Sequence, residues 1–354
     1  MKFSVEQSKI FNILKATKGV VAKHAIQPIL ACYKIDVIDS SVKVTATDLD
    51  NQISGSCVAR TEGVGSFCID GTKLTEIVAK LSGIIDFETD ENVLYVRNGR
   101  TKYKMITIDS SEFPKDATDF EYQSTALPEN FVTKTKQVIF CTQATDMRNI
   151  ISGVCFEIED CKLNLVATDG NRLSLVTMAI EDVENNRFVV PQRILQELIK
   201  NDYDNIYLAF GENRVLFICD NMMFTTKVLN GEFPKYKALL PKSFKGVVKA
   251  NTKEFRDAMS RTCVMTDDKT LKVEFKINNN SLRMSATSTD FGDSNDCIDV
   301  NSNIDDEMTI RFNSAFINNF LNATKEEEIT IGLNDVHGAA MFKGDFDYLC
   351  MPLQ

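Results

Sequence analysis

The feature that most constrains this chain's fold is a segment written three times. Val166-Ala167-Thr168-Asp169 has a copy upstream, Thr45-Ala46-Thr47-Asp48, and a fainter one downstream, Ser285-Ala286-Thr287-Ser288. From Ala46 to Ala167 is 121 residues, and from Ala167 to Ala286 is 119. Two other markers keep the same period. Glu112-Phe113-Pro114 recurs as Glu232-Phe233-Pro234 and, more faintly, as Cys350-Met351-Pro352. The helical stripe Leu74, Ile77, Val78 and Leu81 recurs as Leu195, Leu198 and Ile199, and again as Ile317, Phe320 and Leu321. Three modules are therefore expected, 1–123, 124–245 and 246–354, each of ~120 residues and able to hold its own core.

Within each module the periodicity reads helix, strands, helix, strands. Ser4-Val5-Glu6-Gln7 has the spacing of a capping box ahead of Ile10, Ile13 and Leu14, which predicts a helix from Val5 to Thr17. Strands are expected over 29–37, 42–47 and 52–59, then a helix after Asp70-Gly71, then strands over 84–88, 93–97 and 103–108. The second module has a helix over 133–142, a second helix started by Pro191, and strands on either side of it. The third has a helix capped by Asn251 or Thr252 and another over 314–322. The expected class is α+β, with two helices and antiparallel sheets per module.

Composition narrows the function. The 44% hydrophobic and 25% charged content is that of a soluble globular chain, no apolar run reaches a membrane span, and the N-terminus lacks a secretory signal. A cytoplasmic location is expected. Ten singly scattered cysteines read as reduced, buried hydrophobes. Two histidines leave little material for a zinc site or a histidine triad, so no metal and no cofactor are expected.

Net charge is −10, yet the cations are not spread evenly. Lys9, Lys15 and Lys23 lie on or just after the first helix of module one, Lys134, Lys136 and Arg148 in the matching part of module two, and Lys253 and Arg256 in module three. Lys73, Lys80, Arg193 and Lys200 belong to second helices. Acidic clusters at 86–91, 181–184 and 305–307 are expected in turns between strands. Helices sharing one face would make a track for a phosphate backbone that reads no bases.

Met1-Lys2-Phe3, Gln27-Pro28-Ile29-Leu30, the Ala167-to-Leu173 core, Glu232-Phe233-Pro234 and the Met351-Pro352-Leu353 end together resemble the bacterial sliding clamp family, the beta subunit of DNA polymerase III. The resemblance covers the whole chain. It implies two copies paired head to tail in a ring, with helices lining the hole and sheets outside. The ring would encircle double-stranded DNA and serve a replicative DNA polymerase, a clamp loader and other clamp-binding-motif proteins. It implies a partner-peptide pocket of Ile151, Thr168, Gly170, Arg172, Leu173, Pro234, Leu239, Leu349 and Met351, in which apolar side chains form the cleft, Gly170 permits close backbone approach, and Arg172 and Thr168 fix orientation. That pocket needs the chain's tail to fold back beside the second module. A homodimer interface is implied at Tyr103, Val264 and Met265, and a DNA contact at His24. Asn171 stands where the family often has His, Ala238 where some members carry Arg, and His24 where Arg is common.

Two other functions compete. A phosphotransferase could use Asp48 or Asp169, but the chain has no phosphate-cradling glycine loop and the third copy loses the Thr-Asp pair. A protein-binding scaffold would give no reason for basic helices.

Overall fold

The computed structural model describes residues 1–22, 27–143, 150–181, 183–201, 203–267 and 269–353. In space the chain groups into two units, Met1–Glu129 with Arg193–Val228, and Asn130–Gln192 with Leu229–Gln354. Strand pairing explains why this partition differs from the three sequence repeats. Met222–Lys227 of the second repeat pairs with Asn51–Val58 of the first, and Arg172–Ala179 pairs with Asp347–Cys350 of the third. The sheets thus run past the repeat boundaries, which covers strand edges that would otherwise be exposed.

The first unit holds a five-stranded sheet, in the order Arg60–Glu62, Lys2–Glu6, Ile84–Asp90, Val93–Asn98 and Thr101–Ile106, and an eight-stranded sheet from Gln123–Ala126 to Gly65–Asp70. Helices α1 (Gln7–Thr17) and α2 (Gly71–Val78) pack together through buried Tyr33, whose hydroxyl donates to the Leu14 carbonyl at 3.0 Å and lies 2.9 Å from Thr75 Oγ1. Helix α1 buries Ile10, Ile13 and Leu14 and exposes Lys9 and Lys15. Asp70 caps α2 by accepting from the Lys73 N–H at 2.7 Å.

The expected start of α1 is corrected. Residues Lys2–Glu6 are a strand in which Phe3 and Val5 alternate inward, and Ser4 Oγ donates to Asp86 Oδ1 at 2.6 Å instead of capping a helix. Pairing with Ile84–Asp90 satisfies five residues of backbone, more than a cap could. The acidic run 86–91 is correspondingly mostly strand, its carboxylates on the outward side.

In the second unit, a nine-stranded sheet runs from Asn186–Pro191 to Asn301–Ser302 and a four-stranded sheet from Gly292–Asp299 to Met308–Asn313. Its helices are α3 (Phe131–Lys136), α5 (Thr252–Thr262) and α6 (Ser314–Ala323), while α4 (Gln192–Leu198) opens the return to the first unit. Pro191 ends a strand, so the helix begins one residue later than expected. The helix expected over 133–142 breaks after Lys136 and resumes as a 3-10 turn, Ile139–Cys141. Asn251 caps α5 as expected, accepting from the Glu254 N–H at 3.0 Å. Phe312, Phe320, Phe342 and Tyr348 form the aromatic centre, with Phe320 stacked on Tyr348 at 5.4 Å. Among the described residues no helix is long and apolar enough to cross a membrane.

Asp345 ties α3 to the end of α6. It accepts from Gln137 Nε2, from Thr324 Oγ1 at 2.9 Å and from the Lys325 N–H at 3.3 Å, with the Lys134 ammonium 3.5 Å away. Burial pushes its carboxyl up, but these donors and the ammonium outweigh it and hold it below the usual aspartate range. A carboxyl depressed in the folded state stabilises above its unfolded pKa of ~3.9, and that stability is lost as pH falls through the folded value. Acid unfolding monitored by circular dichroism should therefore steepen below about pH 4, and Asp345→Asn should flatten that limb.

Candidate functional site

The repeated segment is a tight hairpin turn joining Lys162–Thr168 to Arg172–Ala179. Thr168 Oγ1 accepts from the Gly170 N–H at 3.1 Å and donates to the Arg172 carbonyl at 2.7 Å. Asp169 Oδ1 accepts from the N–H groups of Asn171 and Arg172 at 3.0 and 3.1 Å. The first copy repeats this with Thr47 and Asp48, and in the third the turn comes one residue later, with Ser288 Oγ accepting from the Asp290 N–H at 3.3 Å. Both candidate catalytic carboxylates are thus turn acceptors. Each is also held by an arginine, Asp48 by Arg193 at 2.9 Å and Asp169 by Arg172 at 2.8 Å.

Gly170 has φ +90°, and nothing lies within 4 Å of where a Cβ would sit. Left-handed backbone gives one reason for glycine here. Leu49 occupies the matching position of the first copy at φ +79°.

Arg172 has a structural role as well. Its side chain is only 10% exposed. The guanidinium carbon lies 4.2 Å from the Phe316 ring centroid and 5.6 Å from that of Phe140, and Nη2 donates to the Phe140 carbonyl at 2.8 Å. Through these contacts Arg172 fastens the second repeat to the third, while its Nη1 is buried with no hydrogen-bond partner among the described residues.

The tail folds back as expected. Leu173 and Leu349 are in register across two paired strands, and the Met351 N–H donates to the Asn171 carbonyl at 2.8 Å. Both leucines are buried in one cluster with Val166, Phe233, Tyr236 and Met341. Pro234 is half-buried, while Leu239 at 55% and Met351 at 42% exposure remain on the surface. Ile151 lies in a 3-10 turn, and its carbonyl accepts from the Gln143 N–H at 3.0 Å. The set therefore separates into a buried apolar base and two exposed apolar side chains, with Asn171 and Ala238 also exposed. Phe233, Tyr236 and Met341 were not legible as part of it, because any one of them reads as ordinary core.

The basic residues divide too. Lys15, Lys80, Lys136 and Lys253 are exposed and form no ion pair among the described residues. Lys9 and Lys73 keep exposed ammonium groups beside exposed Glu6 and Glu76, pairs that cost little to exchange, while the exposed Lys200 ammonium pairs with the largely buried Glu197 carboxylate. Three others are engaged internally. Lys134 donates to the Asp345 carbonyl at 2.6 Å, Arg193 holds Asp48 and the Gly19 carbonyl, and Arg256 Nε donates to the Leu321 carbonyl at 2.9 Å. Lys23, His24 and Arg148 lie outside the described residues.

Tyr103 lies on Thr101–Ile106, the edge strand of the five-stranded sheet, which carries Lys102, Lys104 and exposed Ile106. Val264, 77% exposed, and Met265 lie in a 3-10 turn beside Gly292–Asp299, the edge strand of the four-stranded sheet. That strand carries Asp293, Asp296 and Asp299 and follows exposed Phe291.

These features define a modular, all-antiparallel α+β protein with a tail-completed apolar surface and two unpaired sheet edges of opposite charge. Family models for the DNA polymerase III beta subunit match it in order: the N-terminal domain over residues 1–117, the central domain over 126–235 and the C-terminal domain over 237–353. The chain belongs to that family. It is similar to the beta sliding clamp of Haemophilus influenzae, 26% identical with all of both chains covered, and to that of Escherichia coli K12, 27% identical over 95% of this chain and 93% of the relative. Its fold matches the beta subunit of Thermotoga maritima with TM-score 0.92 and 25% identity, covering 100% and 99% of the two chains. The sliding clamp of Bacillus subtilis matches with TM-score 0.94 and 22% identity over the same shares.

Proposed function

We propose that the protein is a DNA polymerase processivity factor, a non-catalytic sliding clamp. The ordered match of all three beta-subunit domains along one chain carries this reading. In it, two copies close head to tail through the edge strands Thr101–Ile106 and Gly292–Asp299, so that an edge carrying Lys102 and Lys104 on one copy faces an acidic edge on the other. Exposed apolar groups at both ends favour closure, since a ring leaves neither unpaired. Duplex DNA is held without sequence readout through Lys9, Lys15, Lys73, Lys80, Lys136, Lys200 and Lys253. The replicative polymerase, the clamp loader and other clamp-binding-motif proteins dock by linear peptides on Leu239, Met351, Pro234 and the Leu173–Leu349 base.

Retention by topology distinguishes this from a scaffold or an ordinary DNA-binding protein. Direct binding to a short duplex is expected to be weak and to fall steeply with salt. Once loaded on a nicked circle, the protein should survive that salt in gel filtration and leave when the circle is linearised. Equal retention on circular and linear DNA would overturn the ring.

A further inference from the structure

The segment from Phe233 to Leu239 carries two residues of the proposed peptide site, yet its only regular structure is a 3-10 turn, Tyr236–Ala238. What holds it is a charge network on the neighbouring sheet. Glu157 and Arg187 face each other in register on paired strands, with Arg187 Nε 3.8 Å from Glu157 Oε1. Arg187 Nη2 donates to the carbonyls of Phe233 and Pro234 at 3.4 and 3.3 Å. Tyr236 donates its hydroxyl to Glu157, and the Lys237 ammonium bridges Glu157 at 3.1 Å and Glu159 at 2.6 Å. The Tyr236 ring is buried in the same cluster as Leu173 and Leu349, while Leu239 three residues on is exposed.

We propose that Glu157 and Arg187 are positioning residues of the partner-peptide site: they hold the Phe233–Leu239 segment in its docking shape without touching the peptide. The inference rests on the docking reading above. Each contact fixes a different part of the loop, its entry by Arg187 and its turn by Glu157. A loop ordered in advance spares the peptide the entropy of ordering it. The Glu157 carboxylate at the centre of the network is 12% exposed on its side chain, although its partners Arg187 and Lys237 reach into solvent.

The test is titration of a short synthetic peptide with Leu and Phe anchors into the full chain, with Leu239 methyl order measured by NMR. Glu157→Gln keeps size and one acceptor but loses both ion pairs; Arg187→Lys keeps charge but loses the fork. Each should weaken the peptide by about tenfold and lower Leu239 methyl order in the free protein, with the rest of the spectrum retained. Glu157→Asp, which keeps the charge, should recover part of the affinity. Leu239→Ala and Met351→Ala run in parallel. If those two weaken the peptide while Glu157→Gln and Arg187→Lys change neither affinity nor Leu239 order, the positioning role is overturned. If Leu239→Ala and Met351→Ala leave affinity unchanged, the docking reading itself fails. Should Arg187→Lys unfold the chain, Glu157→Gln alone decides.

Discussion

Arg172→Ala is expected to lower the unfolding free energy by about 3–5 kcal/mol, the loss typical of removing one partner from a buried ion pair. The substitution leaves Asp169 without its guanidinium partner and the Phe140 carbonyl without its donor, and it empties the space between two phenyl rings. Arg172→Lys should recover little, because an ammonium cannot stack between Phe140 and Phe316 and bond Asp169 and the Phe140 carbonyl together. Urea unfolding followed by circular dichroism reads the effect. A loss below about 1 kcal/mol would show that the stacked arginine is not what joins the second and third repeats.

The second large effect is on assembly. Val264→Glu with Met265→Glu should convert the proposed two-chain ring into a folded monomer. Val264 is 77% exposed in the single chain, so the substitutions cost that chain little. At a closed joint, two carboxylates would be desolvated without partners, beside a strand already carrying Asp293, Asp296 and Asp299. A ring has two such joints, and even ~2 kcal/mol at each amounts to a ~1000-fold weaker dimer. Light scattering across micromolar dilution measures it. A double variant that keeps the dimer mass would move the joint elsewhere.

Removing Leu349 to Gln354 looks, from sequence, like the removal of one pocket wall. The structure makes it a much larger lesion. Asp347–Cys350 is an interior strand between Arg172–Ala179 and Ala340–Lys343, and the Leu353 N–H donates to the Arg311 carbonyl at 2.7 Å. Met351→Ala is the cleaner probe, because that side chain is largely outside the ladder.

Elements with strong periodicity were legible. The stripes bury Leu74 and Val78 on α2, Leu195 and Leu198 on α4, and Ile317, Phe320 and Leu321 on α6, while Ile77 is half-buried and Leu81 and Ile199 fall beyond the helix ends; Asn251 caps as its type and position require. Gly292–Asp299 was not legible, since Gly, Asp, Ser and Asn on an exposed edge carry no alternating apolar signal. Ser4 misled because a capping box and a strand with inward Phe3 and Val5 overlap over the same residues, and long-range pairing overrode the local signal.

By itself, the sequence determined the threefold repeat, the core of each apolar helical stripe and the Thr-Asp turn, because each is set by spacing among near neighbours. Only the tertiary structure decided which of those features meet. Lys15 and Lys134 are alike in sequence, but the first stays in water and the second reaches the Asp345 carbonyl. Arg172 and Glu157 could each have faced solvent; Phe316 and Tyr236 arrive from distant parts of the chain and take their charges inward. Whether a charged side chain is solvated or paired depends on the groups brought beside it, and those lie tens to hundreds of residues away.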